Sequence, residues 1–173
     1  MFKSFFGGAL NLIVLLAMMP GMALAQGKDI WAYQSPGDAY YFEGFESAAI
    51  LQSNNTVAVL AFPKGGTTMN AHVGFFADGF IASIKSSLID ADGTIRSVVV
   101  DGGNLKRGEL NENGFVSYHY ILSKNDVPLF QHASIWRIET PRQTINYSLK
   151  GSRLALDRVL AEQKLYDTEK LLE

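Results

Sequence analysis

Two β-favouring segments, 84–89 and 94–100, flank Asp90-Ala91-Asp92-Gly93, and this stretch constrains the fold more than any other. Asp side chains accept local backbone hydrogen bonds and Gly admits positive φ, so the composition closes antiparallel strands at little conformational cost. A hairpin is predicted here. The rest of the chain follows the same grammar, with short β-favouring runs separated by turn formers.

Residues 30–34 read as a short first strand ended by Ser35-Pro36-Gly37, and 39–45 as an aromatic-rich second one. The run 56–62 follows the polar turn 52–55 and stops at Pro63-Lys64-Gly65-Gly66. Residues 73–84 are predicted as a hairpin or a bulged strand interrupted by Ala77-Asp78-Gly79. Asn113-Gly114 introduces a strand over 115–122, whose better core face carries Val116, Tyr118, Tyr120 and Leu122. A turn at 123–126 leads to further β segments at 127–130 and 133–140, the latter turning Trp136 and Ile138 away from Ile135 and Arg137. After a last strand at 144–149 the period changes. Leu156, Val159, Leu160 and Gln163 share one side of a helix over about 153–168, with Ser152 as its cap and Arg153 with Asp157 as an i,i+4 pair. The expected fold is mainly β: a single antiparallel β-sandwich or partly open barrel with a C-terminal α-helix covering a sheet edge or one open end.

The first 25 residues read differently. Lys3 precedes an apolar run from Ala9 to Met19, and Ala23-Leu24-Ala25 comes before polar Gln26, the pattern of a cleaved secretory signal peptide. The apolar run is short for a membrane span and Pro20-Gly21 follows it, so no integral span is expected after processing. Residues 26–173 then form one β-rich domain in the periplasm or outside the cell. The chain has no Cys, so packing and hydrogen bonds must hold a fold that export would allow to be crosslinked. Losing Lys3 leaves one cation fewer than the 15 of the whole chain against 17 Asp and Glu. A slightly acidic chain with dispersed basic residues argues against nucleic acid as a partner. Asn54-Asn55-Thr56 and Asn146-Tyr147-Ser148 match the N-glycosylation pattern, which matters only in a host with the required machinery.

The residues give little catalytic signal. His72, His119 and His132 lack the local spacing of a zinc site. Asp90 and Asp92 resemble the start of a calcium loop without its later acidic ligands, and a structural turn explains them. Pro63-Lys64-Gly65-Gly66-Thr67-Thr68 lacks the Gly-Lys-Ser/Thr ending of a phosphate loop, and Gly102-Gly103 lacks a dinucleotide-binding context. Gly-x-Ser-x-Gly is absent, so any Ser-His-Asp triad would be arbitrary. No catalytic residue, metal ligand or cofactor is therefore assigned. Tyr40, Tyr41, Phe42 and Phe45 are the candidate partner-binding residues, because aromatics supply contact area and Tyr adds a polar rim contact. The competing use of these four is packing, as it is for Trp31 and Trp136, and alternation prevents all four from facing one side.

The segment Ile145-Asn146-Tyr147-Ser148-Leu149-Lys150-Gly151, followed by Leu154, Ala155, Leu156 and Leu160, resembles the terminal strand, glycine and short helix of the invasion-associated locus B family. An exported single domain and Trp31 near the mature start are compatible with the comparison. The resemblance covers about 20 residues. It implies an exported, β-rich, envelope-associated bacterial protein, in some members linked to host-cell interaction, and no enzymatic activity. Members of that family usually carry cysteines, whereas this chain has none, and no functional residue is carried over. The leading expectation is a noncatalytic exported domain that binds a cell-envelope protein or itself. The alternative is a periplasmic hydrolase or small-ligand-binding protein whose pocket is assembled from distant residues.

Overall fold

A computed structural model describes residues 29–76, 84–98, 106–107 and 115–171. The described strands are β1 (Ala32–Gln34), β2 (Phe45–Leu51), β3 (Val57–Pro63), β4 (Thr68–Phe76), β5 (Lys85–Ile89), β6 (Ile95–Val98), β7 (Lys106–Arg107), β8 (Phe115–Ser123), β9 (Ile135–Glu139) and β10 (Thr144–Ser148). They form a six-stranded sheet in the order β1-β2-β3-β4-β8-β7 and a four-stranded sheet in the order β10-β9-β5-β6. Every pairing is antiparallel. The two sheets make a sandwich-like architecture without a closed barrel, completed by helix α1 (Val127–His132) and the C-terminal helix α2 (Ser152–Lys170). No helix among the described residues is long and apolar enough to cross a membrane.

The Asp90–Gly93 turn closes β5 on β6 with Ile89 opposite Ile95. Asp90 donates its amide to the Thr94 carbonyl, Asp92 Oδ1 accepts from the Thr94 amide, and Gly93 sits at φ +86°. Each is the role expected of Asp and Gly in a tight turn.

Between the sheets lies a core of alternating inward residues. Ile50, Leu60, Phe62, Val73, Phe75, Val116, Tyr118 and Leu122 come from the larger sheet, and Leu88, Trp136, Ile138, Ile145 and Tyr147 from the smaller. Trp136 is fully buried, with Phe130 of α1 edge-on at 5.1 Å and Tyr147 tilted against it at 5.7 Å. Its indole N–H donates to Ser86 Oγ at 2.8 Å, which satisfies a polar handle that would otherwise be costly to bury. α2 packs Ala155, Leu156 and Val159 into the same core and lies against β1 and β2.

Two polar groups fasten α2 and its neighbours to the larger sheet. Gln163 is 2% exposed; its Nε2 donates to the carbonyls of Phe62 and Pro63, while its Oε1 accepts from Lys124 Nζ. At the inner face of β2, the Glu46 carboxylate accepts from Tyr33 Oη at 2.5 Å and pairs with Lys64 Nζ at 3.2 Å. Arg158 of α2 lies over the Tyr33 ring at 4.4 Å.

Several local expectations change. Residues 39–45 do not form a strand: the chain turns through 36–44 and pairing begins at Phe45. Asp38 caps that turn by accepting from the Ser35 amide at 2.7 Å, and Tyr40 and Phe42 fold onto the outer face of the larger sheet. There they cover Ala49, Val57, Val59 and Ala61 as a second, smaller core. This explains why β3 is apolar on both faces, since each face is covered. Residues 127–130 are helical rather than extended, with Pro128 in the first turn where its missing N–H costs nothing. β4 begins at Thr68, earlier than expected, and the segment 77–83 lies outside the described residues, as do Asn113-Gly114 and Gly102-Gly103. Ser152 does not cap α2. Gly151 holds that position at φ +83°, while Ser152 Oγ donates to the Phe130 carbonyl. Asp157 accepts from Gln131 Nε2 at 2.8 Å, and the i,i+4 ion pair on α2 is Arg158 with Glu162.

Candidate functional site

A cleft of about 430 Å³ opens where the two sheets meet at one end of the sandwich. Its walls are Asn54 and Thr56 from the β2–β3 turn, Phe75 and Phe76 from the end of β4, and Gln143, Thr144, Ile145 and Asn146 from the start of β10. None of these side chains is ionisable. The cleft can hold a ligand by hydrogen bonds and ring contact, and its lining supplies no proton donor or acceptor of the carboxylate or imidazole kind.

Each wall is set by local hydrogen bonds. In the β2–β3 turn Asn55 adopts φ +61°, and Asn54 Oδ1 accepts from the Thr56 amide and hydroxyl at 3.1 and 2.7 Å. In the β9–β10 turn Thr140 Oγ1 accepts from the amides of Arg142 and Gln143, and Thr140 donates its own amide to the Gln143 carbonyl. Gln143 Nε2 then reaches the Phe76 carbonyl at 2.7 Å and ties the smaller sheet to β4. Asn146 Oδ1 accepts from Arg137 Nε at 3.2 Å. These bonds fix the three amides. The Nδ2 groups of Asn54 and Asn146 remain as donors and Gln143 Oε1 remains as an acceptor for a molecule in the cleft. Phe76, 48% exposed and edge-on to Phe115 at 5.4 Å, supplies the apolar contact.

The buried side chain of Gln52 stands at the inner end of this wall. Its Nε2 donates to Thr56 Oγ1 and to the Asn146 carbonyl, and its Oε1 accepts from the Ser148 amide. A side-chain amide thus bonds to β10 in the way a neighbouring strand would.

The four aromatics singled out in the sequence lie elsewhere. Tyr40 and Phe42 are buried in the outer-face cluster, Tyr41 and Phe45 are partly exposed, and none lines the cleft. Histidines 72 and 119 sit directly opposite each other on β4 and β8, with rings stacked at 5.4 Å and Phe42 at 6.1 Å from His72. Burial, helped by the neighbouring His119, pushes the His72 imidazole down to about 4. His132 is exposed at the end of α1. Among the described residues no group of three His, Cys, Asp or Glu could hold a metal. Asp90 is engaged by Arg96 Nε at 2.8 Å, and hydrogen bonds from Thr94 hold the Asp92 carboxyl below its usual range.

Gln52, Gln143, Thr144, Asn146 and Phe76 carry no motif that a linear reading would connect. Sequence signals that fall on the cleft were read for other purposes: the Asn-x-Ser/Thr patterns, whose asparagines, 54 and 146, both line it, and the family-like segment 145–151, which supplies Ile145 and Asn146. No family model, curated protein or solved structure matches this chain.

Proposed function

We propose that this protein is a noncatalytic, exported, envelope-associated binding domain that engages its partner at the cleft between Phe76 and Asn146. The observation that carries this reading is the chemistry of the lining: three oriented amides, two threonines and an exposed ring, with no ionisable side chain among them. Such a surface recognises neutral polar groups. The signal-like first 25 residues and the resemblance of 145–160 to an exported family support an envelope location.

Cell fractionation followed by gentle extraction tests the proposal. The protein should be found in the envelope fraction, begin at Gln26 and elute with a bound partner, and Phe76→Ala should abolish co-elution while leaving the fold intact. A full-length cytoplasmic protein, or an exported one that is reproducibly monomeric with nothing retained, would overturn it.

A further inference from the structure

The backbone hydrogen bonds of β10 can be accounted for group by group, each N–H and C=O being either paired within the protein or open to another partner. β10 is the edge strand of the smaller sheet. Leu149 donates to the Ser134 carbonyl, and Thr140 donates to the Gln143 carbonyl at the other end of the β9–β10 ladder. Antiparallel pairs alternate between mutually bonded and unbonded. Ile145 and Tyr147 therefore bond to β9, while Thr144, Asn146 and Ser148 direct their N–H and C=O groups away from it. Three of those six outward groups are satisfied. Gln52 takes the Asn146 carbonyl and the Ser148 amide, and Trp31 Nε1 donates to the Ser148 carbonyl at 2.7 Å. The Thr144 amide, the Thr144 carbonyl and the Asn146 amide have no partner among the described residues, and both residues line the cleft.

We propose that this open half of the β10 edge accepts an extended, uncharged polypeptide segment of a partner protein as an added strand. The inference rests on the binding role of the cleft and specifies its occupant. Gln52 already shows the required geometry, because its amide bridges alternate backbone groups of the same edge. A guest strand would continue from where Gln52 stops, toward the Gln143 end. It would pair main chain to main chain with Thr144 and Asn146, place one side chain against Phe76, and meet the free Nδ2 groups of Asn54 and Asn146. Asn54, Thr56 and Phe76 face Thr144 and Asn146 across the cleft. Gln52 and Trp31 already take the rest of the edge, so only three main-chain groups stay open, which suits one short segment and is too little for edge-to-edge pairing with a second copy. The lining offers no ion-pair partner to an acidic or basic side chain and so favours an uncharged segment.

The test uses isotope-labelled protein and a panel of uncharged peptides of about eight residues, the length of an ordinary strand, rich in Thr, Val and Ser. Each peptide is paired with a counterpart N-methylated at alternate residues. Main-chain recognition is tolerant of sequence, so the panel should contain binders that shift the Thr144 and Asn146 amide resonances and slow their hydrogen exchange. Methylation in the bonding register should weaken binding about tenfold or more, since it removes donors and leaves acceptors unpaired. Asn146→Pro, which deletes the edge amide, should do the same, and the methylated peptides carry the test should that variant fail to fold. Binding that is indifferent to methylation, or cleft resonances that move only with a neutral oligosaccharide such as maltohexaose, would overturn strand addition while keeping the cleft as a binding site. A peptide-free dimer that protects the same amides would assign the edge to a second copy and overturn the partner strand. No response to any peptide or sugar would overturn strand addition and the cleft reading together.

Discussion

Tyr33 and Glu46 share a 2.5 Å hydrogen bond on adjacent strands, and Lys64 closes on the same carboxylate at 3.2 Å. The Tyr33 phenol is pushed above its usual range, first by burial, then by its bond to Glu46 and by that carboxylate's charge. The hydrogen bond to Glu46 likewise pushes the Lys64 ammonium up. Both groups hold their protons more tightly in the folded chain than in the unfolded one. Their contribution is therefore complete at neutral pH and is lost as the pH rises above about 10, where the unfolded chain releases those protons first. Urea unfolding at several alkaline pH values should show this decline, and Tyr33→Phe should flatten it, by about 1 kcal/mol once solvent screening is allowed for.

His72 gives the opposite dependence. Its folded value of about 4 lies below the ordinary 6.5, so between those values the unfolded chain binds more protons than the folded one. Stability is full above about 6.5 and falls as the pH drops toward 4, by at most about 3 kcal/mol. His72→Gln should remove most of this acid limb, as measured by thermal unfolding across pH 4–7. An unchanged limb would place the responsible proton elsewhere.

Gln52→Ala should cost about 2 kcal/mol, because Thr56 loses a partner and the Asn146 carbonyl and Ser148 amide are left unbonded beside the core. It should also lengthen the open stretch of β10. Chemical denaturation reads the first effect, and faster aggregation on gentle warming the second.

Gly151→Ala should destabilise by about 1–3 kcal/mol, more than a usual glycine substitution. The residue sits at φ +83°, and an added Cβ would lie 2.9 Å from Ile30 Cγ2 and 3.1 Å from the Trp31 carbonyl oxygen. Ser152→Ala, one position on, loses the bond to the Phe130 carbonyl without backbone strain. Its smaller loss, about 1 kcal/mol in the same assay, provides the control.

What the sequence disclosed was whatever rests on neighbours in the chain. The Asp90–Gly93 hairpin, the inward residues Val116, Tyr118 and Leu122, and the α2 stripe of Leu156, Val159, Gln163 and the partly buried Leu160 follow from period and turn chemistry and are present, while the side chain of Tyr120, the fourth of the predicted β8 face, lies outside those described. Two misread segments share a cause. Residues 39–45 and 127–130 have apolar, β-compatible compositions, but the first is recruited to cover Val57 and Val59 and the second forms the helix that buries Val127 and Phe130. Tertiary burial decided both. The cleft was illegible because its walls come from positions 54–56, 75–76 and 143–146, and because hydrogen bonds from residues as distant as Gln52 orient them.

Trp31 stands next to the first strand, yet its amide donates to the Lys150 carbonyl and its indole to the Ser148 carbonyl, 117 residues away in the chain. Contacts of such sequence separation form late and slow folding. A chain emerging N-terminus first therefore cannot complete either sheet's anchorage until nearly its whole length has been delivered. The architecture delays its own closure until the segment 148–150 has been synthesised.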